Sequence, residues 1–540
     1  MDHALLPPRR RDRDAGDAGR RGKPSRSPFA ERGISTQSVA RRKEPPESSF
    51  NWSVLFRSFA LNQRSLQVQI RQMIVAAIEE RRLAANARMP SSRELALALG
   101  VARNTVVLAY RQLVDEGFLE SRERSGYFVA NLELADPPFT ARNDMLAGSG
   151  LGPHWPERFG IAPSRQRNIV KKLDWLRYPF PFLYGQFDPS LFPTNDWRES
   201  ARGALSVLEI QNWARDLIDG DDPELIDQLR VHVLPRAGIF APPEEIIVTV
   251  GAQQALFMLA QLFLRKNTRM GIENPGYADA RNIFAMMSDR VVPLEVDGEG
   301  LVPSKEVAEC EYVYVTPAHH CPTTVTMPVR RRERLLELAR QNDVVIIEDG
   351  YEFELSGENH GSPALRSLDP DGRVIYVGSF SKVLAPGLRI GYVVAPVAVA
   401  RELRALRRLM LRHPPSNNQR AAALFLGLGH YKSHLRRVTH ALSERAALVE
   451  EALERHLPRW RRMRGPGASS FWLGGPPSLD CHALAQEAEK RGVLIEPGDV
   501  FFMGDAPPRN YLRLGFASIA RERIPAGIAA LGQAARALVT

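Results

Sequence analysis

The reading of the fold turns on the stretch Val377-Gly-Ser-Phe-Ser-Lys382-Val-Leu-Ala-Pro-Gly387-Leu-Arg389-Ile-Gly391-Tyr392. Strand-prone runs, Val374 to Val377 and Ile390 to Val394, flank a loop that carries one lysine. A lysine that forms a Schiff base must be held on a short loop beside a phosphate anchor. Ser379, Ser381 and Arg389 set two hydroxyls and a guanidinium near Lys382, groups suited to a phosphate dianion. A lone lysine is ordinarily a solvated surface residue, so it is the flanking groups that give Lys382 its chemical reading.

Outward from this loop, three segments match the same chemistry. Ile246-Ile-Val-Thr-Val-Gly251-Ala-Gln253 reads as a strand turning into a helix. The amides of Gly251, Ala252 and Gln253 would then meet an anion at a helix N-terminus. Val345-Ile-Ile-Glu-Asp349-Gly-Tyr351 places a carboxylate just past a buried strand. An electron-sink pyridine needs such a carboxylate to keep its nitrogen protonated; without Lys382, a capping aspartate at a strand end would be the simpler reading. Glu273-Asn-Pro-Gly-Tyr277 is a turn ending in an aromatic residue. Beyond these, β-rich runs at Ile246 to Val250, Tyr312 to Thr316 and Val344 to Glu348 alternate with helical stretches, which implies a mostly parallel sheet covered by helices. From about 415 onward a long helix, then Phe471 to Leu473, then Val493 to Ile495 paired with Tyr511 to Phe516, predict a smaller α/β lobe.

The lysine loop resembles that of fold-type I aminotransferases, which use pyridoxal 5'-phosphate (PLP). The resemblance implies Lys382 as the aldimine lysine, Asp349 on the ring nitrogen, Tyr351 on the phenolic oxygen, Tyr277 stacked on the ring and Arg513, in Tyr511-Leu-Arg513-Leu-Gly, on the effector carboxylate. Two positions depart from the pattern. His319-His320-Cys321-Pro322 has Cys321 where these enzymes usually carry an asparagine, and a thiol cannot make the same hydrogen bond to the ring oxygen. Asp279 stands where regulators answering 4-aminobutyrate are expected to carry a second arginine, which points to an effector bearing an extra cationic group.

The N-terminal quarter reads differently. Ile70, Ile74 and Ile78 recur at helical spacing, predicting an amphipathic helix over about 65–83. Ser91-Ser-Arg93-Glu94 is a capping box that opens a second helix ended by Gly100, and Val101-Ala-Arg103-Asn104-Thr105 opens a third that runs to Gly117. Phe118 to Arg122 and Tyr127 to Ala130 around Glu123-Arg124-Ser125-Gly126 read as a hairpin, so the whole is a winged helix-turn-helix. A helix in the major groove needs phosphate contacts and base-reading side chains at its N-terminal end. This stretch closely resembles the GntR-type winged helix, and the resemblance implies that Arg93, Arg103, Asn104, Thr105 and the wing around Gly126 contact DNA.

Composition agrees. The chain has 540 residues, too many for one core, and a formal charge of +10. Residues 1–49 carry 12 Lys/Arg against 7 Asp/Glu and residues 50–135 carry 11 against 8, whereas the remaining 405 carry 49 against 47. The basicity therefore sits in the first quarter, where a polyanion partner is expected. Cys310, Cys321 and Cys481 follow no metal-ligand or disulfide spacing, so no metal is expected and a reducing, cytoplasmic setting fits. No secretory h-region and no membrane span are read. The domain reading is a disordered basic tail at 1–49, the DNA-binding domain at 50–132, a Pro- and Gly-rich linker at 133–175 and the PLP-binding body at 176–540.

Head, linker and lysine loop in this order resemble the MocR/GabR family of transcriptional regulators. That resemblance implies a homodimer exchanging domains head-to-tail, an operator in double-stranded DNA, and an amino acid or amine effector that displaces Lys382 from PLP as an external aldimine. Two other readings stay open at this level. One is a working aminotransferase with a DNA-binding appendage, against which Cys321 argues. The other is a DNA-binding protein whose body serves only as a dimerisation scaffold, against which the joint presence of Lys382, Asp349, Tyr351 and Arg389 argues.

Overall fold

The computed structural model describes residues 65–131 and 155–539, apart from 81, 123–124, 187 and 357–361, together with Trp52. The tail read at 1–49, the tip of the hairpin at Glu123-Arg124 and the first part of the expected linker lie outside the described residues. The chain forms two compact units, one ending at Pro153 and one beginning at His154.

In the first unit, helix α1 (Leu66–Glu79) forms because Ile70, Met73, Ile74, Ala77 and Ile78 fall on one face, and all are buried. Helix α2 (Ser92–Leu99) starts at a completed capping box: Ser91 Oγ accepts from the Glu94 amide at 3.2 Å and Glu94 Oε2 accepts from the Ser91 amide at 2.8 Å. It stops at Gly100, whose φ of 67° a glycine adopts without strain. Helix α3 (Arg103–Asp115) buries Val106, Ala109, Tyr110 and Leu113 against α1 and α2. Strands β1 (Leu119–Arg122) and β2 (Gly126–Val129) pair antiparallel, Leu119 opposite Val129. Tyr110 fastens α3 to its surroundings: its hydroxyl donates to Pro90 O at 2.8 Å and its ring lies 4.8 Å from that of Tyr127.

The second unit is built on an eight-stranded sheet. After the short β3 (Phe180–Pro181), its strands are β4 (Ile246–Thr249), β5 (Met270–Asn274), β6 (Val291–Asp297), β7 (Gly300–Leu301), β8 (Tyr312–Val315), β9 (Val345–Asp349), β10 (Val374–Ser379) and β11 (Gly391–Val394). They lie in the order β4-β11-β10-β9-β8-β5-β6-β7. The five central strands β10, β9, β8, β5 and β6 run parallel; β11 is antiparallel to both β10 and β4, and β7 to β6. Side chains alternate between two cores as strand geometry demands. Ile247, Ile347, Ile375 and Val393 pack with helix α4 (Gly251–Phe263) and with α5 (Ala278–Ala285), whereas Ile246, Val248, Tyr376, Tyr392 and Val394 pack with α6 (His430–His456).

The smaller lobe carries β12 (Arg461–Met463), β13 (Ser470–Gly474), β14 (Val493–Leu494), β15 (Glu496–Pro497), β16 (Tyr511–Gly515) and the terminal helix α7 (Ile524–Val539). Here the expected pairing is corrected. Val493–Leu494 pairs with β3, and it is Glu496–Pro497 that pairs with Tyr511–Gly515, Glu496 lying opposite Arg513. The buried ion pair between those two side chains accounts for this register. Strands β5 and β6 were not anticipated, because Glu273-Asn-Pro-Gly reads as a turn and β6 contains Pro293. Among the described residues no helix is long and apolar enough to cross a membrane, and Cys310, Cys321 and Cys481 are free and buried.

Candidate cofactor and effector site

The lysine loop is the connection of the β10–β11 hairpin, so Lys382 and Arg389 are indexed to each other by strand register. Lys382 enters a cavity of about 380 Å³ that is also lined by Ala252, Gln253, Tyr277, Asp279, Cys321, Asp349, Tyr351, Ser379, Ser381, Arg389 and Arg513. The structure thus brings together positions that the sequence spreads from Ala252 to Arg513. Lys382 Nζ stands 4.0 Å from the centroid of Tyr184 and 6.0 Å from that of Tyr351. Burial, then the nearby Lys171 ammonium, holds its amine down at a pKa of about 8.

Asp349 ends β9 beneath the cavity. Burial pushes its carboxyl up to about 6, while Tyr314, which donates to Oδ2 at 2.8 Å, and Lys382 oppose the rise. Tyr277 caps α5, with its hydroxyl 3.1 Å from both Gln253 Oε1 and Asp279 Oδ2. Cys321 sits on the floor. Its amide donates to Thr316 Oγ1 at 3.1 Å, and Thr316 in turn donates to the buried Glu273 at 2.6 Å. Burial raises the Cys321 thiol to about 12, so it stays neutral.

At the other end, Gly251 opens α4 with φ 73°, and Val250 gives that helix no side-chain cap. A Cβ on Gly251 would stand 2.8 Å from Arg389 Nη2, and a Cβ on Gly391 would stand 2.6 Å from the Gly251 carbonyl carbon. The two turns therefore meet backbone to backbone, and Arg389 Nη2 donates to Val250 O at 3.1 Å beside the uncapped start of α4. Ser379 Oγ donates to Ser381 Oγ at 2.9 Å and accepts from the Ser381 amide at 3.1 Å. These residues fit PLP: an anion cradle of helix amides, hydroxyls and guanidinium, an amine of lowered basicity, a buried carboxylate and two tyrosines line one cavity.

Arg513 is 2% exposed. Its Nε donates to Glu496 at 3.0 Å, Nη1 lies 4.0 Å from Cys321 Sγ, and the guanidinium is sandwiched between the rings of Tyr184 (4.1 Å) and Phe501 (4.6 Å). Sequence reasoning missed four residues of this site: Lys171, Tyr184, Glu352 and Glu496. Lys171 lies inside the stretch read as linker, yet its Nζ donates to Tyr184 O and lies 3.4 Å from Glu496 Oε1. Glu352, buried at φ 55°, accepts from the Ser469 amide and hydroxyl. None of the four falls in a periodic pattern or beside a recognised motif residue, Glu352 excepted, which directly follows Tyr351.

In the first unit, Arg103, Asn104 and Thr105 form the first turn of α3, and Arg93 lies in the first turn of α2. Arg93, Arg103 and Asn104 are exposed and Thr105 is half-buried. Arg103 Nε donates to Ser92 Oγ at 3.4 Å, joining the two N-termini. Gly126, at the start of β2, is exposed with φ 100° and open space around it.

Residues 192–531 match the family described as Aminotransferase class I and II, and residues 66–129 match that of bacterial regulatory proteins of the gntR family. The chain is 43% identical to the HTH-type transcriptional regulator TauR of Rhodobacter capsulatus, over 88% of this chain and 97% of that protein. It is 31% identical to the probable rhizopine catabolism regulatory protein MocR of Rhizobium meliloti, over 88% and 94%. Among solved structures, it is similar to LysN, the α-aminoadipate aminotransferase of Thermus thermophilus in complex with N-(5'-phosphopyridoxyl)-L-leucine, with a TM-score of 0.65 and 28% identity over 71% of this chain and 99% of that one.

Proposed function

Because the chain belongs to the MocR/GabR-type family of PLP-dependent, DNA-binding transcriptional regulators, we propose that it senses an amino acid or amine in the cavity around Lys382 and transmits the event to its winged helix. When bound, PLP supplies an electrophilic carbon for amines and a ring able to accept electrons. The chain's own residues do the rest. Lys382 would hold the cofactor, and its lowered basicity keeps a useful fraction of the amine unprotonated near neutral pH. Asp349 would keep the ring nitrogen protonated, Tyr351 would bond the phenolic oxygen and Tyr277 would cover the ring. The amides of Gly251, Ala252 and Gln253, with Ser379, Ser381 and Arg389, would hold the phosphate. Arg513 receives the effector carboxylate, and Arg93, Arg103, Asn104, Thr105 and the wing at Gly126 engage the operator.

The observation that carries this reading is the convergence of Lys382, Asp349, Tyr351 and Arg389 on one cavity. The protein acts in the cytoplasm as a homodimer with heads exchanged between protomers. The effector shifts operator binding only to the extent that it binds two arrangements of that dimer unequally.

The test is an absorbance spectrum of purified protein from 300 to 500 nm, repeated with a panel of amino acids and amines. A visible band that one compound shifts, without keto acid appearing, supports sensing. Release of keto acid with formation of pyridoxamine phosphate would favour a working aminotransferase, and a protein that stays colourless with added PLP would overturn the Lys382 assignment.

A further inference from the structure

Lys171 belongs to a segment strapped onto the body. Gln166 Nε2 donates to Asn282 O at 3.0 Å, Asn282 Nδ2 donates to Arg167 O at 2.9 Å and lies 2.8 Å from Asn168 Oδ1, and Arg167 Nη2 donates to Phe502 O at 2.9 Å. Asn282 lies in α5, the helix whose first turn holds Asp279 and whose cap is Tyr277. The strap ends with the Lys171 ammonium inside the cavity. The point where a Cβ on Gly185 would stand is 3.0 Å from Lys382 Nζ and 3.1 Å from Lys171 Nζ, so both amines hang over one glycine.

Lys171 and Arg513 share one counter-ion. Glu496, 4% exposed, takes Arg513 Nε on Oε2, while its Oε1 has Lys171 at 3.4 Å and no hydrogen bond. Lys171 and Arg513 thus stand on one wall of the cavity with a single carboxylate in reach of both. A half-buried ammonium and a buried guanidinium are both stabilised by acceptors placed close to them. The Asp279 carboxylate accepts from the Tyr277 hydroxyl at 3.1 Å and lies in the field of Lys171, in the lining of the same cavity.

Resting on the sensing role assigned above, we propose that Lys171 is an effector-binding residue: with Arg513 it grips an acidic group of the effector, so the site selects amines that carry a separate acid and passes over simple amines. The same contact links cavity occupancy to the strap at residues 166–171, which lies within the last part of the stretch read as linker.

The test uses full-length protein loaded with PLP and a set of probes: glycine, β-alanine and longer ω-amino acids, each paired with the amine that lacks its carboxylate. Dissociation constants come from the shift of the visible band. In the wild type the acid-bearing member of the best pair binds about tenfold or more tighter, Lys171→Met cuts that ratio about tenfold, and Lys171→Arg restores most of it. Lys171→Gln retains a donor for Tyr184 O and gives the same loss if the Met variant disturbs the fold. An unchanged ratio in a folded, coloured Lys171→Met or Lys171→Gln protein overturns the proposal and leaves sensing intact. If no probe shifts the wild-type spectrum, the sensing reading falls and this inference falls with it.

Discussion

Lys382 has its amine beside the Tyr184 ring and Lys171, and burial first, then Lys171, lowers its pKa from 10.5 to about 8. An amine attacks a carbonyl only when unprotonated. Uptake of PLP by the cofactor-free protein should therefore quicken about tenfold per pH unit up to 8 and level off above it, whereas an ordinary lysine would keep gaining to about 10.5. Stopped-flow absorbance from pH 6 to 10 checks this, and a rate still climbing at the top of that range would show that the amine is not depressed. At this scale much of the site was legible, because Lys382, Ser379, Ser381 and Arg389 lie within eleven residues and Asp349 and Tyr351 follow a strand. Lys171 and Tyr184 were not, since both lie in unpatterned chain held by long-range contacts, the strap at 166–168 and the pairing of β3 with β14; Glu496 follows the Val493–Ile495 run but reaches the site only through its pairing opposite Arg513.

Elements explain why glycine is required where α4 meets the lysine hairpin. Gly251 has φ 73° with Arg389 2.8 Å from where a Cβ would stand. Gly251→Ala should cost roughly 1–3 kcal/mol of backbone strain and, by pushing the guanidinium aside, weaken PLP binding by about tenfold or more. Thermal unfolding of cofactor-free protein and a PLP titration separate the two effects. In the first unit, the expected DNA-contacting side chains are displayed by two helix N-termini joined through Arg103 and Ser92. Arg103→Ala should weaken operator binding at every salt concentration and lower the slope of log K against log salt by about one. An unchanged titration removes Arg103 from the interface. The helices of this unit were legible to within a few residues because the capping box at Ser91 and the isoleucine spacing are local signals. Strands β5 and β6 were hidden by Pro275, which directly follows β5, and by Pro293, which lies inside β6 opposite Ile272.

At the scale of the molecule, the basic excess lies in the first 135 residues while the remaining 405 are nearly neutral, which separates the part that meets a polyanion from the part that holds a cofactor. The homodimer proposed above would carry two winged helices. The operator should accordingly contain two copies of one half-site, and a footprint should show two protected stretches whose loss is mutual when either half-site is scrambled. Protection confined to one half-site would overturn the dimeric reading.

All eight strands of the large sheet, and every residue assigned to the cofactor, precede residue 395, whereas Glu496 and Arg513 come more than 100 residues later. A growing chain emerges from its N-terminus. The residues that hold the prosthetic group are thus translated before Glu496 and Arg513, whereas Lys171, the other half of the grip on the signal molecule, is translated before them all.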